Sequence, residues 1–259
     1  MRIIKLSRLK SIFFTLFNRL ENNNNADFHK NGEERFLTEH IHSLKGDIVL
    51  FDVGANVGGY SEILVEQCRK DRLHYSLHLF EPTQSCFAVL KQKFSLDENI
   101  HLNNVGVSDT CSTADIFYDT ERSGFASLYH RDLSSVNVEM NKKEIISLIR
   151  LDEYLSQHNI LRIDFLKIDI EGHELSAFRG MGKYLNVDFI KAIQFEYGGA
   201  NLDSGTTLRQ LYVLLQSAGF KIYKIKKNGI ESRQYHLNME NYQYANYVAL
   251  SPKYFLDIQ

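Results

Sequence analysis

The chain has 259 residues, 44% of them hydrophobic and 24% charged, with a formal net charge of -2. That length suits one large α/β domain with appendages, the composition is that of a soluble globular chain, and the charge balance offers no basic field to draw nucleic acid. The three cysteines, Cys68, Cys86 and Cys111, show no C-x-x-C spacing, which argues against a disulfide framework or a zinc site and for a reducing, cytoplasmic setting.

Residues 1–20 carry Lys5, Arg8, Lys10 and Arg19 among Leu6, Leu9, Phe13, Leu16, Phe17 and Leu20. The apolar set follows helical spacing, so a basic amphipathic helix is expected. It is too short and too charged to span a membrane and lacks the small-residue cleavage site of a signal peptide. Three readings stand: packing on the domain or on a second subunit of a homo-oligomer, peripheral contact with an anionic membrane, or a disordered leader. The run 22–25 reads as a flexible linker. Residues 1–26 are thus set apart from a domain over 27–259.

After a helix over 33–44, the apolar run 48–53 reads as a buried parallel strand. A glycine turn over 54–59 and a helix over 60–70 follow. Strand, glycine turn and helix together present free backbone N–H groups and a positive dipole end to a ligand. Gly54 suits the sharp turn, and Gly58 suits close approach of helix and ligand. A dinucleotide fingerprint needs a glycine where Asn56 stands. The pattern is instead D-x-G-x-N-x-G from Asp52 to Gly58, with Glu81 ending the next strand over 73–80.

The alternation continues with a helix over 84–94, a strand over 100–105 and a turn over 105–109. It predicts a doubly wound, mostly parallel sheet, with ligands past the carboxyl ends of its strands. Residues 112–149 break the rhythm: strands over 113–118 and 145–149 suggest a β insertion whose loop covers the site. The apolar block before Asp169 leads into a helix reaching 184. A strand over 188–197, a helix over 206–218 and a closing antiparallel pair over 220–225 and 242–250 complete the chain.

D-V-G-A-N-V-G-G-Y-S, F-E-P, L-D-E-Y-L, L-K-I-D-I-E-G-H-E and Q-F-E-Y occur in the order of the FkbM family, which the chain resembles over roughly residues 47–250. The resemblance implies a seven-stranded class I, Rossmann-like methyltransferase fold and transfer of a methyl group from S-adenosyl-L-methionine to oxygen, often of a sugar or polyketide hydroxyl. It places the cofactor on Asp52, Gly54, Ala55, Asn56, Gly58, Tyr60, Glu81 and Pro82. The glycine loop would hold the methionine moiety, Glu81 both ribose hydroxyls, and the turn with Val107 and Ser108 the adenine. Competing readings are an NAD-dependent oxidoreductase and a non-catalytic nucleotide-binding protein on the same fold.

In-line methyl transfer to an alcohol needs positioning and removal of the alcohol's proton. Asp169, Glu171 and His173 cluster after a strand on the cofactor rim and are the expected catalytic residues. Asp169 is expected to face the acceptor, His173 has the pKa range of a base, and Glu171 would orient it or bind substrate. Lys167 shares Asp169's face of the strand, and Glu196 ends the next strand on the same rim. No spacing compels a metal site, although Asp169, Glu171 and Glu196 together suit a divalent cation. The expected product is a methylated glycan or small-molecule hydroxyl.

Overall fold

The computed structural model describes residues 7–255. In chain order the elements are α1 (Ser7–Glu21), α2 (Glu33–Ser43), β1 (Asp47–Val53), α3 (Gly59–Lys70), β2 (His74–Phe80), α4 (Gln84–Phe94), β3 (Ile100–Asn103), β4 (Gly106–Val107), β5 (Ser112–Tyr118) and β6 (Lys142–Ile149). Then come α5 (Leu151–Gln157), β7 (Ile163–Ile168), α6 (Glu174–Gly180), β8 (Ile190–Tyr197), α7 (Gly199–Ser204), α8 (Leu208–Ser217), β9 (Lys221–Lys226), β10 (Gly229–Ser232) and β11 (Ala245–Leu250).

The main sheet runs β10-β9-β11-β8-β7-β1-β2-β3. Its parallel part places β1 between β2 and β7, with Asp52 opposite Leu79 and Lys167. Alternate side chains feed two apolar layers, one on each face. Phe51, Val53 and Leu166 pack with Phe178 and Leu211, while Ile48, Leu50 and Phe165 pack with Leu37, Leu64 and Leu90. Buried on both faces, β1 and β7 place their carboxyl ends side by side, where the two chains turn away from the sheet.

The seven expected strands are present, with β9 and β11 antiparallel as anticipated. An eighth, β10, extends the edge as a hairpin with β9. Its short sequence carries little apolar signal. The expected turn over 105–109 differs too: Gly106–Val107 forms β4, which pairs with β6 in a second sheet of order β4-β6-β5. The β insertion is therefore tied to the cofactor rim by backbone pairing.

Residues 1–6 of the expected amphipathic segment lie outside the described residues. The asparagine run that follows α1 is a seam. Asn22 Nδ2 donates to the carbonyls of Asn31 and Ile225, and Asn23 Oδ1 accepts from Lys224 Nζ at 2.6 Å. Both asparagines are buried. Composition suggested a linker because two of these partners, Ile225 and Lys224, lie 203 and 201 positions away. Among the described residues no helix is long and apolar enough to cross a membrane, and all three cysteines are free.

Candidate active site

Two cavities open where β1, β2 and β7 end. The larger, counted with the open solvent at its mouth (about 870 Å³), is lined by Glu81, Pro82 and Val107 and by Ile116, Ser123, Leu128, Ile146 and Leu148 of the insertion. The smaller on the same count, about 660 Å³, is lined by Phe28, Ala55, Tyr60, Lys167 and Tyr244. Gly54, Asn56 and Asp169 belong to both. One cavity is mostly apolar with three acids, Glu81, Asp169 and Glu171, in its wall, and the other has the Lys167 ammonium group beside the start of α3, with Glu33 and Asp169.

The glycine loop explains that junction. The Gly54 and Ala55 amides both donate to the Phe80 carbonyl, at 2.9 and 3.1 Å. Gly54 has φ +87°, and a Cβ there would lie 1.9 Å from the Asp169 carbonyl oxygen. Only glycine permits β1 and β7 to part so closely. Asn56 also takes a left-handed conformation, φ 48°, which asparagine tolerates well. Its side chain accepts from the Val57 amide at 2.7 Å and donates to the Ser123 carbonyl at 3.1 Å, linking loop to insertion.

Glu81 is buried, and its carboxylate is already engaged. Oε2 accepts from the Asn56 amide at 2.9 Å, and Oε1 accepts from the Thr83 amide and hydroxyl at 2.9 and 2.6 Å. Burial pushes its pKa up, and these three bonds oppose that rise. A carboxylate offers about four acceptor sites, so Glu81 can take a ligand hydroxyl but has little room for two. Its first task is to hold the glycine loop.

Several expected contacts are corrected. Asp52 is fully buried and lines neither cavity; its Oδ2 accepts from Ser61 Oγ at 2.6 Å. The alternation that points Phe51 and Val53 to one face turns Asp52 beneath the start of α3. Gly58 serves helix packing, since a Cβ would come within 2.8 Å of Phe94 and Leu90. Ser108 is buried and bonds His173, while neighbouring Val107 lines the larger cavity.

The end of β7 is more heavily charged. Asp169 accepts from Lys167 Nζ at 3.0 Å. Lys167 is buried, with its ammonium 4.9 Å from the centre of the Tyr60 ring. Burial disfavours its charge, but Asp169, Asp52 and Glu33 together hold its pKa above the ordinary value. Glu171, in a left-handed conformation with φ 51°, pairs with Arg131. Burial and the Asp169 charge raise its pKa, against the pull of Arg131. Glu196 arrives from the end of β8, and burial followed by Asp169, Glu171 and Glu174 raises its pKa well above the carboxylate range. Asp169, Glu171 and Glu196 each place an oxygen within 4.8 Å of the others, a spacing able to hold a cation.

His173 lines the larger cavity but does not have the position of a free base. Ser108 Oγ lies 2.9 Å from its Nε2, and Tyr129 OH 2.9 Å from its Nδ1. A neutral imidazole has one donor and one acceptor, and both are engaged. Burial lowers its pKa, so the ring stays neutral and latches the insertion to the rim. To accept a proton from a substrate, His173 would first have to give up one of these partners.

Ser127 and Tyr129 belong to the loop expected to cover the site, while Arg131 of the insertion and Phe28 and Tyr244 of the smaller cavity carry no expected role. The stretch from Ser123 to Arg131 carries small, aromatic and basic residues together, which was the available signal for the insertion residues. Phe28 and Tyr244 had none, being brought to the rim by the seam between Asn24 and Tyr244.

Residues 52–222 match the family described as the Methyltransferase FkbM domain. The chain belongs to the FkbM methyltransferase family. It is an S-adenosyl-L-methionine-dependent methyltransferase, which sets aside the oxidoreductase alternative. A curated relative is methyltransferase sdnD of Sordaria araneosa, 23% identical over 177 residues, 57% of this chain and 67% of that one. Similar solved structures include a precorrin-6y C5,15-methyltransferase from Geobacter metallireducens, with a TM-score of 0.41 at 10% identity over 84% of this chain and 87% of that one. Another is a methyltransferase from Aquifex aeolicus, with a TM-score of 0.41 at 12% identity over 96% and 100%.

The residues of this FkbM chain fit the cofactor. The Gly54 cradle, which a Cβ would fill, adjoins Glu81 for a hydroxyl and the apolar wall of Pro82, Val107 and Leu148 for a base. Lys167 and the first-turn amides of α3 suit a carboxylate, and Asp169 suits an amine or sulfonium.

Proposed function

We propose that this FkbM methyltransferase transfers its methyl group to a hydroxyl of a carbohydrate or other glycan-type acceptor. The observation that carries the reading is the polar rim at the junction of the two cavities. Asp169 lines both cavities and Glu171 the larger; Glu196 lies behind them with an oxygen within 4.8 Å of theirs, and Lys167 and Arg131 pair with Asp169 and Glu171. A polyhydroxyl acceptor supplies donors and acceptors in number, which such a rim can satisfy. A flat apolar acceptor would offer these polar groups no hydrogen-bonding partner of its own.

The bound cofactor supplies a methyl group on a positively charged sulfur. The chain's own residues do the rest. Asp169 lines both cavities and accepts the hydrogen bond of the acceptor hydroxyl. Transfer of that methyl group would break its bond to sulfur and leave a neutral thioether, and the acceptor's hydroxyl proton would pass to the Asp169 carboxylate. Lys167, 3.0 Å away, fixes the orientation of Asp169, and the Arg131 pair with Glu171 holds the insertion over the reacting atoms. Ser127 Oγ donates to the Glu171 carbonyl at 2.8 Å and secures the same closure.

Isotopic methyl transfer into glycan fractions of cell extracts tests the reading. The expected product is a labelled glycan whose methyl survives alkali, as an ether does. Label confined to alkali-labile esters, or to non-glycan acceptors, would overturn it.

A further inference from the structure

Helix α1 is built the reverse of a packing helix. Between Leu9 and Leu20 seven large apolar side chains are 47–69% exposed, so the described residues leave that face uncovered. At about 100° per residue, six of them, Leu9, Ile12, Phe13, Leu16, Phe17 and Leu20, fall on one arc. Lys10 lies at one edge of the arc and Arg19 at the other, both exposed. The helix is held by its opposite, polar side and its last turn. Asn18 bonds Asn23, Lys226 Nζ donates to the Leu20 carbonyl at 2.9 Å, and Glu21 pairs with Lys224 and Arg233.

We propose that the apolar arc of α1 docks on an anionic lipid surface. Charge decides between occupants. Residues 9–20 contain no Asp or Glu, and Glu21 is taken up by Lys224 and Arg233, so a second copy of the helix would set basic edges together with no free acid in the helix to answer them. A leaflet of anionic lipid supplies both what the arc lacks: an apolar layer for the phenylalanines and negative headgroups for Lys10 and Arg19. The fastening on the far side is rigid enough to fix an orientation. The segment after Glu21 bonds Tyr244 through Asn24, and Ala26 and Phe28 stand in the wall of the smaller cavity. The docking helix is thus joined in sequence to a wall of the smaller cavity. The inference stands on α1 alone and does not depend on the acceptor.

Vesicle flotation of the full chain tests it, with phosphatidylcholine alone and with phosphatidylcholine mixed with phosphatidylglycerol. The wild-type chain is expected to float with the anionic vesicles and to be released by salt. The Lys10→Gln, Arg19→Gln pair should weaken partitioning about fivefold for each charge removed, the fold-change of about 1 kcal/mol per basic residue. The Phe13→Ser, Leu16→Ser pair should abolish flotation. These side chains are exposed, so both variants should keep the wild-type melting temperature and S-adenosylhomocysteine binding. A wild-type chain that stays unbound, or that floats equally on neutral vesicles, overturns the proposal. So does a wild-type dimer that the serine pair converts to a monomer with no lipid binding in either form.

Discussion

Glu81 and the Asp169–Glu171–Glu196 group stand at the same end of one sheet and are handled in opposite ways. Around Glu81, amides of Asn56 and Thr83 and the Thr83 hydroxyl bond the carboxylate. All are within 25 residues of it, and none carries a charge. At the ends of β7 and β8, three carboxylates press on one another, and the cations that answer them, Lys167 and Arg131, come from a buried strand and from the insertion. A carboxylate held by neutral dipoles is fixed in shape and suits recognition. Crowded carboxylates hold protons that depend on what binds, and such a place suits proton transfer.

Gly54 is where the two rims touch, so Gly54→Ala should have the largest effect. The added Cβ would meet backbone, 1.9 Å from the Asp169 carbonyl, and φ +87° adds strain. A loss of roughly 2–4 kcal/mol in stability is expected, together with loss of cofactor binding by calorimetry. A variant that melts and binds normally would show that the rims are not in contact.

Asp169→Asn should break the second rim alone. It removes the base and the charge nearest both cavities, and turnover on a true acceptor should fall by about a hundredfold or more. Lys167 keeps Asp52 and Glu33 as charged neighbours, so the fold should stay intact by circular dichroism. Near-normal turnover would move the base elsewhere, to Glu196 or Glu171.

Glu81→Gln should break the first rim more gently. The amide keeps one acceptor oxygen but turns an NH₂ toward a partner that itself donates. Cofactor affinity should drop by about 1.5–3 kcal/mol, the scale of a charged hydrogen bond, read as Kd by calorimetry. Glu81→Ala should cost stability as well, because Asn56 and Thr83 lose their acceptor. Unchanged affinity in the glutamine variant would remove Glu81 from the cofactor site.

The same contrast accounts for what could be read from the sequence. The glycine turn, Glu81 and the strand order around β1 are local: strand, turn, helix and acid follow one another within about thirty residues of a βαβ unit. The acidic cluster was legible as a cluster, because Asp169 and Glu171 are neighbours and β8 lies beside β7. The roles within it were not. Whether His173 is free or latched depends on Tyr129, 44 positions away, and Arg131 becomes visible only once the insertion folds back. The packing of Gly58 on Phe94 and of Asp52 on Ser61 was hidden for a related reason: pattern gives a residue's position on an element, and packing decides which neighbour it meets. The asparagine seam shows the limit most plainly, since Asn22 meets Ile225 only after β9 is in place.

Glu196→Gln gives the smallest effect and the sharpest test of the crowding. In the folded chain Glu196 holds its proton well above the ordinary carboxylate value of 4.5, through burial first and then the charges of Asp169, Glu171 and Glu174. The unfolded chain releases that proton near 4.5. Above that value the native state therefore binds more protons than the unfolded one, and stability falls as pH rises. Below it both states are protonated, and the group's contribution is fully present. Glutamine keeps the shape and a hydrogen-bonding group but cannot ionise. The variant should match the wild type in melting temperature near pH 4 and gain on it as pH rises through neutrality. For a chain of this size each kcal/mol relieved appears as about 2–4 °C. The opposite slope, with the variant losing ground as pH rises, would mean that Glu196 is ionised and paired with a cation in the native state, and the contrast between the two rims would then collapse.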